Sequence, residues 1–317
     1  MSRSLMAAAA ACAALLLPTS PAMASTAGTM EPVMTLAGAD PYCSPDSSLS
    51  SGLAEVLTSS LIAPGTDWYT KGARPLSTDM VSAWVSPAQG GTYDQCGKSA
   101  NLLAQAFYQR LLSFRNTLQA RYPAKNITKV DVVGVSYGTT ISRLCIQTNP
   151  DCAALVDDWI GAVPPSHGTT YFSGSNCYNL GPYKFECLAA QPNGQVVNDM
   201  NGVGKSGDET PYGEKDPGGW IEYTTLRAQN DGVIFPVGTE KLIGASNFQV
   251  IFPAGGSVST HANWSGTGAG CAGSSAWNQS GTTEAIAAEL LDVIDRSGRL
   301  ATRDSVPDFA LSCNWPN

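Results

Sequence analysis

A short stretch at 130–138 places the strongest constraint on how this chain can fold. Its first six residues, Val-Asp-Val-Val-Gly-Val, suit a buried strand, and the apolar residues that follow 138 share one face of a helix. Between strand and helix lies Gly-Val-Ser-Tyr-Gly, with a glycine two positions before and two positions after Ser136. Glycine removes the Cβ atoms that would collide where a strand turns directly into a helix. The stretch therefore predicts a strand, a sharp turn at Ser136 and a helix.

A serine in such a turn stands at the carboxyl end of its strand with its hydroxyl exposed, which is the arrangement of a nucleophile elbow. The N-terminus of the helix beneath it offers free N–H groups to a developing negative charge. Gly-x-Ser-x-Gly alone arises by chance in a chain with 32 glycines. Its strand and helix context leads us to predict that Ser136 is a catalytic nucleophile.

A serine nucleophile needs a base, and the chain contains only two histidines, His167 and His261. His261 follows a predicted strand at 248–252 near the C-terminus. His167 lies just beyond the strand that follows the elbow. As the base, His167 would leave only acids close to the elbow for the third role, namely Asp151, Asp157 and Asp158. We therefore predict that His261 is the base.

The acid of the predicted triad should lie between the serine and the histidine, at the end of a strand. Asp231 meets that description, because it sits in a polar turn after a predicted strand at 221–226. The order Ser, Asp, His along the chain is that of α/β-hydrolases. Asp231 would orient His261 and hold its tautomer, with Asp208 and Asp216 as the alternative acids.

Two backbone N–H groups are expected to bind the oxyanion that forms when an ester carbonyl is attacked. One is the N–H of Tyr137, the residue after the nucleophile, and the other comes from the turn after an early strand. That strand is predicted at 31–39, which makes Ala39 the candidate for the second donor.

Three blocks of sequence together resemble the bacterial class 2 lipases of the α/β-hydrolase superfamily. Residues 132–138 look like their lipase box, 163–169 (Val-Pro-Pro-Ser-His-Gly-Thr) are similar to their "TPHxG" loop, and 230–236 (Asn-Asp-Gly-Val-Ile-Phe-Pro) resemble their "DGVVP" acid turn. The resemblance covers about 130–265 well and the rest loosely. Two positions depart from the family pattern. Ala37-Gly38 stands where the family usually has His-Gly, and Val135 stands in place of a frequent histidine.

The resemblance implies a hydrolase of carboxylic esters, either a triacylglycerol lipase or a carboxylesterase acting on short-chain esters. The sequence has no evident cluster of metal ligands, so we predict no cofactor and no metal. An extracellular polyhydroxyalkanoate depolymerase is the alternative, since such polyester hydrolases share the fold and the triad order. A serine peptidase also fits a triad. In a different class, the chain could be a noncatalytic secreted binding protein on the same fold, which the spacing of the triad residues argues against.

Alternation of strands and helices predicts an α/β fold with a mainly parallel sheet flanked by helices. The clearest helix is predicted at 99–120, and another at 282–295. We expect a single α/β-hydrolase domain over 25–317. A glycine-, asparagine- and aromatic-rich excursion at about 168–219 would form a cap or lid over the site, or else an ordinary surface insertion.

Composition limits the partners of the protein. The net charge is −8 and there is no basic run, which argues against nucleic acid and against anionic membrane surfaces. Residues 1–24 have the pattern of a signal peptide, with Arg3, an apolar run at 6–17 and a small-x-small site that ends at Ala24. No other stretch approaches transmembrane length. We therefore expect a secreted protein, and a monomer.

Eight cysteines follow the predicted signal peptide, an even number that suits up to four disulfides in an exported chain. Short loops favour the pairs Cys145–Cys152 and Cys177–Cys187, and the sequence does not define the other pairings. A zinc site is disfavoured because the chain has no Cys-x-x-Cys and only two histidines.

Overall fold

The computed structural model of the chain describes residues 32–36, 38, 81–84, 99–172, 176–181, 184–201, 221–228, 231–236, 238–242, 245–251, 261 and 308–310. Several predictions lie outside these residues. They concern the signal peptide, the helix at 282–295, the oxyanion candidate Ala39, the alternative acids Asp208 and Asp216, and the cysteines Cys43, Cys96, Cys271 and Cys313.

A seven-stranded sheet in which every neighbouring pair is parallel forms the centre of the described residues. The spatial order is β2-β1-β3-β4-β5-β6-β7. The predicted α/β fold with a mainly parallel sheet is therefore confirmed. The strands are β1 (Val33–Leu36), β2 (Val81–Trp84), β3 (Val130–Val135), β4 (Val156–Ala162), β5 (Glu222–Ala228), β6 (Ser246–Ile251) and β7 (Asp308–Ala310).

Helix α1 (Ala100–Arg121) is the longest helix described, and it packs against α2 (Tyr137–Thr148), the helix that follows the elbow. Apolar residues at three- and four-residue spacing form its buried face, as the prediction at 99–120 required. These residues are Leu103, Phe107, Leu111, Phe114 and Leu118. Since β1, β3 and nearly all of β4 are buried, the core lies between the central strands and these helices.

The elbow helix α2 ends at Thr148, directly before Asn149-Pro150. A further short helix, α3 (Pro150–Ala154), begins there. Proline suits the first turn of a helix, where its missing N–H has no partner to lose. The side chain of Asn149 accepts a hydrogen bond from the N–H of Asp151 and caps this helix. The predicted disulfide Cys145–Cys152 is confirmed and joins α2 to α3.

The apolar run at 159–163 predicts a strand, and β4 begins three residues before that run, at Val156. The prediction missed this part because it contains two aspartates, Asp157 and Asp158, which are rare in buried strands. A register shift lets the β4 chain accommodate an extra residue opposite β3, and Asp131 Oδ1 accepts a hydrogen bond from the N–H of Asp158 there. Lys129 Nζ lies 2.6 Å from Asp157 Oδ1.

The glycine- and aromatic-rich excursion contains two short helices that sequence analysis did not resolve, α4 (Lys184–Ala189) and α5 (Gln195–Asn201). Helix α5 packs against α2, and Met200 joins the core. The predicted disulfide Cys177–Cys187 is confirmed, and it joins α4 to an earlier part of the same excursion. Among the residues described, no helix has both the length and the hydrophobicity that crossing a bilayer requires.

Candidate active site

Ser136 occupies the predicted turn between β3 and α2. Its backbone has φ 49° and ψ −119°, a conformation that residues with a Cβ rarely adopt and that marks a functional constraint. The N–H of Ser136 donates to the carbonyl of Ala162 at 2.9 Å, which anchors the turn on β4. A Cβ on Gly134 would lie 3.0 Å from the backbone nitrogen of Thr139, so a larger residue would push the helix away from the strand.

His261 bridges the other two predicted triad residues. Its Nε2 lies 2.8 Å from Ser136 Oγ and its Nδ1 lies 2.8 Å from Asp231 Oδ2. The side chain of Asp231 is 1% exposed and that of His261 is 13% exposed. The histidine thus remains accessible to a substrate, whereas the carboxylate is shielded from water.

Asp231 has a second set of partners that fix its carboxylate. The N–H groups of Val233 and Ile234 donate to Oδ1 at 2.7 and 2.8 Å. Oδ2 therefore faces the histidine while Oδ1 is held by the turn that follows the acid. These two hydrogen bonds fix the orientation of the carboxylate relative to His261.

The three side chains follow different strands of one parallel sheet. Ser136 follows β3, Asp231 follows β5 and His261 comes after β6, so all three lie beyond the carboxyl ends of parallel strands. A parallel sheet, a serine in the sharp turn between a strand and a helix, and the chain order Ser, Asp, His together define one architecture. The chain has the α/β-hydrolase fold.

Of the two predicted oxyanion donors, Tyr137 is among the described residues. Tyr137 is the first residue of α2, where a backbone N–H has no acceptor within the helix. Ala39 lies outside the described residues, but its neighbour Gly38 is described. A Cβ on Gly38 would lie 3.2 Å from Ser136 Cβ and 3.8 Å from Ser136 Oγ. The chain after β1 therefore passes directly beside the serine.

His167, the alternative base, is engaged elsewhere. Its Nε2 lies 3.0 Å from the carbonyl oxygen of Lys241, and its backbone N–H donates to the carbonyl of Thr239 at 3.1 Å. It is His261 that is hydrogen-bonded to Ser136.

The buried polar residues within and around the segment after Asp231 were not predicted from the sequence. Ser166, Thr169 and Glu240 are each 1% exposed. Burial raises the pKa of Glu240 to about 8, and the nearby charge of Asp231 acts in the same direction, while Arg227 opposes it. The only signal for Ser166 and Thr169 was their place in the block at 163–169. Nothing in the sequence distinguished Glu240.

No cluster of three or more His, Cys, Asp or Glu side chains that could hold a metal ion occurs within the described ranges. The side chain of Tyr137 is buried, and this burial raises the pKa of its hydroxyl. The site therefore consists of a hydroxyl, an imidazole and a carboxylate in series, an arrangement able to perform nucleophilic acyl transfer.

Neither a protein-family model nor a curated protein matches this chain. Solved structures with a similar backbone include Aspergillus fumigatus lipase B (16% identity, TM-score 0.46, 69% of this chain and 44% of that one). Others are a gene product of Listeria innocua (10% identity, TM-score 0.45, 90% and 100% of the two chains) and esterase B from Lactobacillus rhamnosis (11% identity, TM-score 0.44, 84% and 75%). The chain spans less than half the length of the lipase B structure. Membership of the class 2 lipases stays a hypothesis that rests on the three sequence blocks.

Proposed function

We propose that the protein is a secreted serine hydrolase that cleaves carboxylic esters through a covalent acyl-enzyme. The observation that carries this proposal is the position of His261, within 2.8 Å of both the hydroxyl of Ser136 and the carboxylate of Asp231. A hydroxyl in contact with an oriented base is the requirement for serine nucleophilic catalysis.

The first half-reaction follows from this geometry. His261 Nε2 removes the proton from Ser136 Oγ as the oxygen attacks the ester carbonyl carbon. The carbonyl oxygen becomes negative and is bound by the N–H of Tyr137 and, in this proposal, that of Ala39. Each such donor contributes roughly 3 kcal/mol of transition-state stabilisation. The intermediate then collapses, His261 gives its proton to the leaving alkoxide, and the alcohol departs.

Hydrolysis of the acyl-enzyme uses the same groups in reverse. A water molecule gives a proton to His261 Nε2 and attacks the acyl carbon, and the proton then returns to Ser136 Oγ as the acid is released. Asp231 stays ionised throughout, accepts the Nδ1–H of His261 and stabilises the imidazolium that forms in both steps. The donors from Val233 and Ile234 keep its carboxylate in place.

The proposed substrates are acylglycerols or shorter carboxylic esters. The sequence blocks shared with class 2 lipases support esters over amides. An aromatic cluster also lies beside the acid turn. Tyr171 is 45% exposed, and it contacts Phe172 and Phe235 at ring-centroid distances of 5.1 and 6.3 Å. Aromatic side chains of this kind suit an apolar acyl chain. They suit an aliphatic polyester surface as well, so a polyhydroxyalkanoate depolymerase is the second candidate.

Export from the cell is part of the proposal. The two disulfides support an oxidising compartment, because cytosolic thiols are kept reduced. The apolar N-terminal run supports cleavage near Ala24.

Turnover of p-nitrophenyl butyrate by wild type and by Ser136→Ala tests the activity. We expect hydrolysis by wild type and its loss in a variant that retains the wild-type circular dichroism spectrum. Equal rates for the two proteins would contradict the proposal, and absence of turnover in both would favour a binding protein on this fold.

Tributyrin, olive-oil emulsion and a polyhydroxybutyrate film, assayed in parallel, separate esterase, lipase and depolymerase. Cleavage of chromogenic peptide amides without ester cleavage would instead indicate a peptidase.

A further inference from the structure

The loop that follows β4 is hydrogen-bonded to the loop that carries Asp231. We call residues 166–169 the β4 loop and residues 231–242 the acid loop. Three successive carbonyls of the acid loop accept hydrogen bonds from two residues of the β4 loop. The backbone N–H of His167 donates to Thr239, the hydroxyl of Ser166 donates to Glu240 at 3.1 Å, and the ring Nε2 of His167 contacts Lys241.

Thr169 holds the other end of the acid loop. Its hydroxyl donates to the carbonyl of Val233 and accepts from the N–H of Phe235 at 3.3 Å. It also accepts from the N–H of Tyr171 at 3.1 Å. One donor and two acceptor sites are all that a hydroxyl possesses, so the polar capacity of Thr169 is fully used. Thr169 is 1% exposed, so these bonds are shielded from bulk water.

Val233 connects this contact to the triad. Its carbonyl accepts from Thr169, and its N–H donates to Asp231 Oδ1 at 2.7 Å. Val233 is thus hydrogen-bonded to the β4 loop through its carbonyl and to Asp231 through its N–H. The direction of the Asp231 carboxylate depends on the orientation of that peptide segment.

We propose that Thr169 is a positioning residue that fixes Asp231 through Val233, and that Ser166 and His167 fix the remainder of the acid loop. Both histidines of the chain then serve the triad, His261 by proton transfer and His167 by holding the acid loop in place. The inference rests on the proposed function, since it concerns the same site.

Loss of the Thr169 hydroxyl would leave the carbonyl of Val233 and the N–H groups of Phe235 and Tyr171 buried without this partner. The acid loop should relax, and Asp231 should shift relative to His261. A displacement near 1 Å in a catalytic constellation lowers turnover by about 100-fold. We therefore expect Thr169→Val to lower kcat by roughly 10- to 100-fold with KM changed less than about twofold. Thr169→Ser, which restores the hydroxyl, should recover most of kcat.

A control removes a buried hydroxyl that is hydrogen-bonded to neither Asp231 nor Val233. Thr225 Oγ1 donates to Asn247 Oδ1 at 2.7 Å between β5 and β6, and Thr225 is fully buried. Its partner Asn247 accepts from the N–H of Leu242, at the end of the acid loop opposite to Asp231. Thr225→Val should lower the melting temperature much as Thr169→Val does, yet keep kcat within about twofold of wild type. A purely structural role for Thr169 predicts the same kcat in both variants.

Proton NMR of the full-length protein supplies a readout that loss of stability does not move. With two histidines in the chain, the low-field resonance of the His261 Nδ1–H is readily assigned. It should broaden or shift in Thr169→Val and remain in place in Thr225→Val and Thr169→Ser. If Thr169→Val does not fold, His167→Ala tests the same loop and should reduce kcat while KM is kept.

The outcomes separate this inference from the proposed function. Absence of ester turnover in wild type overturns the function itself. Turnover in wild type, with an unchanged kcat and an unchanged His261 resonance in the Thr169 and His167 variants, overturns the positioning role alone.

Discussion

Ser136 Oγ and His261 Nε2 lie 2.8 Å apart although 125 residues separate them in the chain. The contact joins the residue after β3 to a residue beyond β6, across the carboxyl ends of the intervening strands. It requires the strained backbone of Ser136, which lifts the hydroxyl out of the strand.

Asp231→Asn should reduce kcat by about 10,000-fold, because an amide no longer holds the Nδ1–H tautomer of His261 or stabilises its imidazolium. The side chain keeps its size, and its oxygen can still accept from Val233 and Ile234, so the melting temperature should stay close to that of wild type. Steady-state kinetics on a p-nitrophenyl ester measure the effect. Activity within tenfold of wild type would show that Asp231 is not the acid.

Gly38→Ala should lower kcat/KM with little loss of stability. The added methyl would lie 3.2 Å from Ser136 Cβ, tighter than an ordinary carbon–carbon contact, and would crowd the position where an ester carbonyl must approach. Gly38→Val should have a larger effect, which makes the series internally controlled. Equal kcat/KM values across the series, measured beside thermal melts, would exclude a close approach of the β1 turn to the serine.

Glu240→Gln should make stability less dependent on pH. Burial raises the folded-state pKa of Glu240 from 4.5 to about 8, so between these values the folded protein binds a proton that the unfolded chain has lost. The stability of wild type therefore falls as pH rises through this range and levels off above it. Glutamine mimics the neutral acid and removes this decline.

Thermal melts from pH 5 to pH 9 are the measurement for Glu240→Gln. The melting temperature of the variant should exceed that of wild type by a margin that grows with pH up to about 8. A difference between the two proteins that stays constant over the whole range would show that Glu240 does not carry the extra proton.

Gly161→Ala should destabilise the sheet by about 1–3 kcal/mol through overpacking. A Cβ there would lie 2.7 Å from Cζ3 and 2.9 Å from Cζ2 of the fully buried Trp159 ring. Trp159→Phe withdraws those atoms, at the cost of the 2.9 Å hydrogen bond from Nε1 to Ser142. A double-mutant cycle of urea-unfolding free energies should show that Gly161→Ala costs less in the Trp159→Phe background. Strict additivity would contradict the packing described.

Local features of the molecule could be predicted from the sequence. Helix α1 was evident from its apolar spacing, and the elbow was evident from a valine-rich strand followed by glycines around Ser136. Two disulfides were predicted from short loops. The start of β4 was missed because two aspartates, Asp157 and Asp158, interrupt the apolar pattern that predicts a buried strand. Helices α4 and α5 were missed because each spans fewer than two turns, too few for the amphipathic spacing to repeat.

The sequence by itself determined the candidate reactive groups, namely one elbow serine, two histidines and an aspartate after a strand, in an order that limits the fold. Periodicity and glycine sterics act over a few neighbouring residues, so a linear pattern is enough to reveal them. Only the tertiary structure decided that His261 meets Ser136, and that His167 and Thr169 instead hold the acid loop. Those contacts depend on the order and register of seven parallel strands. That order and register arise from packing between residues far apart in the chain.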